Sequence, residues 1–146
     1  MTKAPFKYLS HTADVEFVAY GKDIKEAIEN SGLALLNVAL DLKKINASKG
    51  KVKTAGINEK ADTVENLVWF VLQDIISMRA AGYLSAFKFK VDKLEKNRKG
   101  VNLKGRLFHK KLKEDYTLLD VKAVTPHDLR VTKTKSGYSI NVIIDV

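Results

Sequence analysis

Two aspartates occupy places where the neighbouring sequence argues against a charge. Asp145 is the penultimate residue, set in the apolar run Ile143-Ile144-Asp145-Val146, and Asp14 stands in a polar loop between two apolar stretches. The chain stops at Val146, so an α-carboxylate lies one residue from the Asp145 side chain. Like charges that close repel unless a cation or protons lie between them. If the last strand pairs beside the strand that follows Asp14, three carboxylates converge. Hard oxygens of that kind suit Ca²⁺ or Mg²⁺ and leave positions open for water. A solvated terminus and a turn-capping aspartate account for the same residues without a metal.

Other chemistry is thinly supplied. The chain has no cysteine, which removes disulfides, thiolate zinc sites and cysteine nucleophiles together. It has no Gly-rich phosphate loop, no G-x-S-x-G and no H-E-x-x-H. The histidines are His11, His109 and His127. Ser10, His127 and Asp128 have the residue types of a catalytic triad, but a triad is defined by geometry and any chain of this size supplies one on paper. A two-metal phosphoesterase needs ions about 4 Å apart, and too few acids are placed to bridge them. No enzyme is expected.

The net charge of +9 is unevenly distributed. Between Lys88 and Lys113 there are eleven Lys or Arg and only two acids, Asp92 and Glu95, so this one segment holds the whole surplus. Such a field attracts polyanions, nucleic acid above all. Lysine-rich strands also face water simply to block edge pairing. A basic RNA-binding domain lacks its usual interleaved aromatics here, because Phe87, Phe89, Phe108 and Tyr116 are expected in the core.

The elements that must position these groups follow from periodicity and punctuation. At 146 residues, with 45% hydrophobic and 29% charged, the chain suits a single domain over 1–146 with a real core. Phe6 to Leu9 and Val15 to Tyr20 read as strands, the second ended by Gly21. Asp23 with Glu26 forms a capping-box start, and Ile24, Ala27, Ile28, Leu35 and Val38 predict a helix to about Leu40. Gly32 inside it costs roughly 1 kcal/mol against alanine, so a close neighbour needs that space. After a lysine-rich connection, Lys51 to Ile57 reads as a strand. Asp62 and Glu65 repeat the cap signal before a full apolar stripe from Val64 to Met78, read as core, and Arg79 and Gly82 mark its end. Phe87 to Val91 alternates as a half-buried strand. Asn97-Arg98-Lys99-Gly100 turns into a return strand with Gly105 as a bulge. Tyr116 to Val124, Leu129 to Lys133 and Tyr138 to Val146 complete the β content. The expected class is α+β, two helices on one face of a mostly antiparallel β-sheet. The first residues lack a signal-peptide core and no apolar run approaches a membrane span, so a cytoplasmic protein away from membranes is expected.

Four motifs, in order, resemble those of the archease family over essentially the whole length. Tyr8-Leu9-Ser10-His11-Thr12-Ala13-Asp14-Val15 resembles the family's H-T-A-D signature, followed by Gly21 and the helix bearing Glu26 and Ala27. Leu72-Gln73-Asp74-Ile75-Ile76, with Trp69 upstream, is similar to its L-N-E-L-L run. Val121-Lys122-Ala123-Val124-Thr125-Pro126-His127-Asp128-Leu129 resembles its I-K-A-x-T-Y-H-x-L, and Val142 to Val146 its V-x-x-D-[VI] ending. Glu16 stands where the family has a small residue and Pro126 where it has tyrosine. The family's Gly-Glu before a histidine has no good counterpart, since Gly105-Arg106 and His109 differ in spacing, and no role is carried over from that segment.

The resemblance implies a divalent metal site formed by Asp14, Asp145 and Val146, taking Ca²⁺ or alternatively Mg²⁺ or Mn²⁺. His11 and Thr12 are then expected to hold the loop by hydrogen bonds, because Ca²⁺ prefers oxygen; Lys122 and His127 serve the core or a partner. The resemblance further implies an accessory protein that activates the GTP-dependent tRNA-splicing RNA ligase, promoting its guanylylation and multiple turnover, with tRNA met through the ligase. A chaperone or specificity modulator of a tRNA-modifying methyltransferase is the alternative within the family.

Overall fold

The computed structural model describes residues 4–9, 14–83 and 85–146; the expectations for Ser10, His11 and Thr12 therefore fall outside the described residues. The chain runs β1 (Phe6–Leu9), β2 (Val15–Gly21), α1 (Ile24–Ala39), α2 (Leu42–Ala47), β3 (Val52–Ala61), α3 (Val64–Ala80), β4 (Ala86–Asn97), β5 (Gly100–Lys110), β6 (Ala123–Val124), β7 (Arg130–Thr134) and β8 (Gly137–Asp145). The α+β class holds, but the strands form two antiparallel sheets rather than one. A five-stranded sheet has the order β1-β2-β8-β6, with β7 also paired to β8; a three-stranded sheet has the order β3-β5-β4. Both long helices touch both sheets, α1 through β2, β8 and β4 and α3 through β3, β5 and β6. They form the layer the two sheets share.

Local signals explain the two long helices. Asp23 accepts the Glu26 N–H at 2.8 Å, and Glu26 accepts the Lys22 N–H at 3.0 Å, a reciprocated cap. In α3 the cap is Thr63 rather than Asp62: the Thr63 hydroxyl accepts the Asn66 N–H at 3.1 Å, while Asp62 accepts from the Asn66 side chain. The stripe Leu67, Val68, Val71, Leu72 and Ile75 is fully buried, at roughly 1.5–3 kcal/mol for each large side chain. The third helix, α2, replaces the expected open connection. Its six residues carry only Leu42 and Ile45 as buried positions, too few to show a period. The Lys110 ammonium secures its end, donating to the carbonyls of Ile45, Asn46 and Ser48 at 2.9–3.3 Å.

Phe89 on β4 joins the layers. A Cβ on Gly32 of α1 would lie 3.1 Å from it, and one on Gly105 of β5 would lie 2.9 Å from its ring. The neighbour that Gly32 accommodates is thus Phe89, and Gly105 serves the same ring from the other side. The bulge expected at Gly105 belongs to the opposite strand: β4 carries extra residues between Ala86 and Lys88 and between Val91 and Lys93. Glu29 of α1 accepts the Val91 N–H there at 2.8 Å.

The stretch expected as a strand from Tyr116 to Val124 forms a strand over Ala123–Val124 and a single bridge from Thr117 to Leu40. Its earlier backbone bonds go elsewhere: Leu118 N–H donates to the Ala39 carbonyl and Tyr116 accepts from Asp41 N–H, closing the end of α1. Apolar, β-branched residues here cover a helix terminus instead of extending a ladder. Arg79, the basic residue expected in the last turn of α3, is there, buried, and donates to Thr117 Oγ1 at 3.2 Å.

Candidate metal centre at the carboxyl terminus

Strands β2 and β8 pair antiparallel, with Val15 opposite Ile144 and Phe17 opposite Val142. The ladder ends at Val15 opposite Ile144, so Asp14 precedes its last paired position on one strand and Asp145 follows it on the other. Phe17, Val142 and Ile144 are buried in the core, so the alternation along β8 turns Asp145 to the outer face. Asp14 is half-buried and Asp145 exposed. Val146 packs its side chain against the core, which holds the end of the chain beside Asp145.

The other flank of Asp145 is β6. Ala123 pairs with Asp145 and Val124 with Ile144. The Lys122 N–H donates to the Asp145 carbonyl at 2.9 Å. Two side chains of α3 hold β6 in place: Trp69 Nε1 donates to the Val124 carbonyl at 2.8 Å, and Gln73 Oε1 accepts the Val124 N–H at 2.7 Å. This positioning role was not foreseen, although both residues lie in or beside a motif singled out in the sequence.

The sequence-predicted residues thus separate into two groups. Asp14 and Asp145 each adjoin the end of the β2–β8 ladder, Val146 follows Asp145, and the Lys122 backbone bonds to Asp145. His127 and Asp128 are exposed in the loop before β7, and His109 stands on β5 with its ring against Tyr83. Burial, then Lys53, lowers the pKa of His109. Glu16 stands opposite Ile143. Among the described residues no trio of His, Asp or Glu side chains gathers at metal-binding distance, so a cation here has to draw on main-chain or terminal oxygens as well as Asp14 and Asp145. That all-oxygen set fits a hard divalent ion such as Ca²⁺.

One carboxyl elsewhere departs strongly from its ordinary behaviour. Asp74 of α3 faces Glu59 of β3; burial, then the hydrogen bond and charge of Glu59, push it up to about 7. Asp74 comes from the helix and Glu59 from the sheet it packs on. Nothing in the local sequence pattern signals the pair, because its members come from separate elements.

The chain matches the model of the archease protein family (MTH1598/TM1083) over residues 6–146. It is 31% identical to the protein archease of Methanosarcina barkeri over 143 residues, which cover 97% of this chain and 95% of that protein. It is 30% identical to the protein archease of Sulfolobus acidocaldarius over 145 residues, covering 97% and 98%. Its fold is similar to the solution structure of Methanobacterium thermoautotrophicum protein 1598, with a TM-score of 0.82, 25% identity, and coverage of 97% of this chain and 99% of that one. A crystal structure of an archease from Thermotoga maritima, described as a possible chaperone, shares the fold at a TM-score of 0.58 and 17% identity, covering 100% and 98%. With a match across both ends of the β2–β8 ladder and all the elements between them, the chain belongs to the archease family.

Proposed function

We propose that the protein is an accessory factor for a GTP-dependent tRNA-splicing RNA ligase, and that it acts through a divalent cation, best Ca²⁺, held by Asp14, Asp145 and the Val146 carboxylate. The observation that supports this reading is the β2–β8 ladder, whose last pair, Val15 with Ile144, is followed directly by Asp14 on one strand and Asp145 on the other. In this reading the cation neutralises the facing carboxylates and ties the segment before β2 to the last strand. The chain's own residues do the rest: Val146 anchors the terminus by burial, and Trp69 and Gln73 fix the strand behind Asp145. Family membership supports an accessory role, as does the description of the Thermotoga relative as a possible chaperone. A role toward a tRNA-modifying methyltransferase would use the same site.

The test separates helper from enzyme. The protein alone, mixed with RNA ends and GTP, is expected to give no joining, cleavage or GTP hydrolysis. Added to a cognate ligase present below the RNA concentration, it is expected to raise the number of turnovers. Robust GTP hydrolysis or RNA cleavage by the protein alone would overturn the accessory reading.

A further inference from the structure

The three-stranded sheet β3-β5-β4 buries one face on the helices and leaves the other to solvent. On β5, Val101, Leu103 and Leu107 point inward, while Asn102, Lys104, Arg106 and Phe108 point out. The ladders carry this pattern sideways: Lys88 and Thr54 flank Phe108, Lys90 and Gly56 flank Arg106, Lys93 and Asn58 flank Lys104, and Glu95 and Lys60 flank Asn102. Phe108, expected in the core, is therefore a surface residue, with the Lys88 ammonium 5.2 Å and the Arg106 guanidinium 5.1 Å from its ring centre.

The charges on this face are not self-cancelling. Arg106 is committed to Asp92 in a two-pronged pair at 2.7 and 2.8 Å, and Lys93 to Glu95 at 3.0 Å. Lys60, Lys88, Lys90 and Lys104 make no ion pair among the described residues. Protection of a sheet edge does not explain Lys104 and Arg106, which lie on the central strand. The face also has a floor. An open trough of about 630 Å³ is lined by Asn58, Lys60, Lys93, Glu95, Asn102 and Lys104 among others. Beside it, Gly56 sits in mid-strand with no positive φ, and a Cβ there would meet only the Asn58 amide, at 3.8 Å. Neither packing nor backbone conformation requires a glycine at this point, and glycine weakens a strand. The open space above it leaves room for another molecule to approach the backbone closely, one of the uses of a glycine inside a strand.

We infer that the outer face of the β3-β5-β4 sheet binds the phosphate backbone of single-stranded RNA. Residues two apart on a strand recur about 6.7 Å along it, so Lys88 with Lys90, and Lys104 and Lys60 on the neighbouring strands, present unpaired cations at the spacing at which an extended strand presents phosphates. A trough of nucleotide size admits one strand. The Asn58 and Asn102 amides at its base both donate and accept, as base edges and the 2′-hydroxyl require. This goes beyond the accessory reading and stands without it, because it needs neither the ligase nor the cation.

The test uses the purified full chain and a fluorescein-labelled single-stranded oligouridylate, followed by anisotropy between 50 and 200 mM salt. Four lysine–phosphate contacts on a single strand give a logarithmic salt slope of about −3, a loss of about 50-fold in affinity over that range. The triple variant Lys60→Ala/Lys90→Ala/Lys104→Ala is expected to cut the slope to about −1. A triple of exposed lysines elsewhere, Lys43→Ala/Lys133→Ala/Lys135→Ala, is expected to change neither slope nor affinity. Gly56→Val changes no charge and is expected to weaken binding while leaving the melting temperature unchanged or raised. Equal losses in the two triples would reduce the effect to diffuse charge and overturn the proposal. So would tighter binding of duplex DNA of equal length. Absence of binding, with the first triple defective only when a protein partner is added, would assign the face to an acidic protein surface instead.

Discussion

Gln73 of α3 and Val124 of β6 are joined by a 2.7 Å hydrogen bond across 51 residues of sequence, and Trp69 one turn earlier takes the carbonyl of the same residue. Both backbone groups of Val124 on that side are thus held by one helix face, and β6 in turn backs Asp145. Gln73→Leu leaves a buried N–H unpaired, which costs about 1–3 kcal/mol. Its melting temperature should fall and the Val124 amide should exchange faster with solvent. An unchanged melting temperature with unchanged exchange would remove Gln73 from the support of the site.

The helices were legible because their signals are local. Asp23 with Glu26 and the stripe from Leu67 to Ile75 sit within one or a few turns, and the space at Gly32 was foreseen before Phe89 could be named as its occupant. The division into two sheets was not legible, because the pairing of β2 with β8 spans nearly the whole chain and no short pattern encodes it. The run from Tyr116 to Val124 misled for a related reason. β-branched and apolar residues suit a strand, but the end of α1 offered its carbonyls first. At the site, Asp145 stood out as a charge in apolar β sequence and Asp14 as an acid in the loop between two apolar strands. Trp69 and Gln73 did not, since an aromatic and an amide on a helix are ordinary until their partner is known.

Asp74 gives a pH dependence with a definite sign. Its folded-state value is raised to about 7, by burial first and by Glu59 second. A carboxyl that holds its proton more tightly when folded contributes stability that is complete below its unfolded value and is lost as pH rises through the folded one. Between pH 5 and pH 8 this pair should therefore destabilise the protein progressively. Asp74→Asn keeps a donor toward Glu59 without the second charge. It should raise the melting temperature at pH 8 and change it little at pH 5. Equal effects at both values would show that the Asp74 carboxyl is not raised in the folded protein.

Lys96, Arg98 and Lys99 surround the β4–β5 turn and are exposed. They lie at the tip of the basic hairpin, beyond the trough. If the hairpin draws the protein toward an RNA-bearing complex, reversing all three charges should weaken assistance to the ligase at 50 mM salt. The defect should vanish near 1 M, where screening acts within about 3 Å. Assistance that is unchanged at every salt concentration would assign these residues to ordinary solvated surface.

The carboxyl terminus gives the most demanding test. If Asp14, Asp145 and the Val146 carboxylate share one cation, the ion binds only the folded chain. A ligand of that kind stabilises by roughly 2.7 kcal/mol at a hundredfold excess over its dissociation constant. Calcium should therefore raise the melting temperature of the wild-type protein. Asp14→Asn and Asp145→Asn preserve size and hydrogen bonding but remove charge, so each should abolish that rise and the stimulation of the ligase. Without metal the facing carboxylates repel, and either variant should then be as stable as the metal-free wild type or slightly more so. A general loss of packing would give the opposite result, a lower melting temperature with and without calcium. Appending a few residues after Val146 moves the terminal charge away while both aspartates stay in register. Calcium stabilisation should be lost in that variant too. If the extended chain still responds to calcium and still assists the ligase, the α-carboxylate is not a ligand; if both Asn variants respond as the wild type does, the ladder end holds no metal.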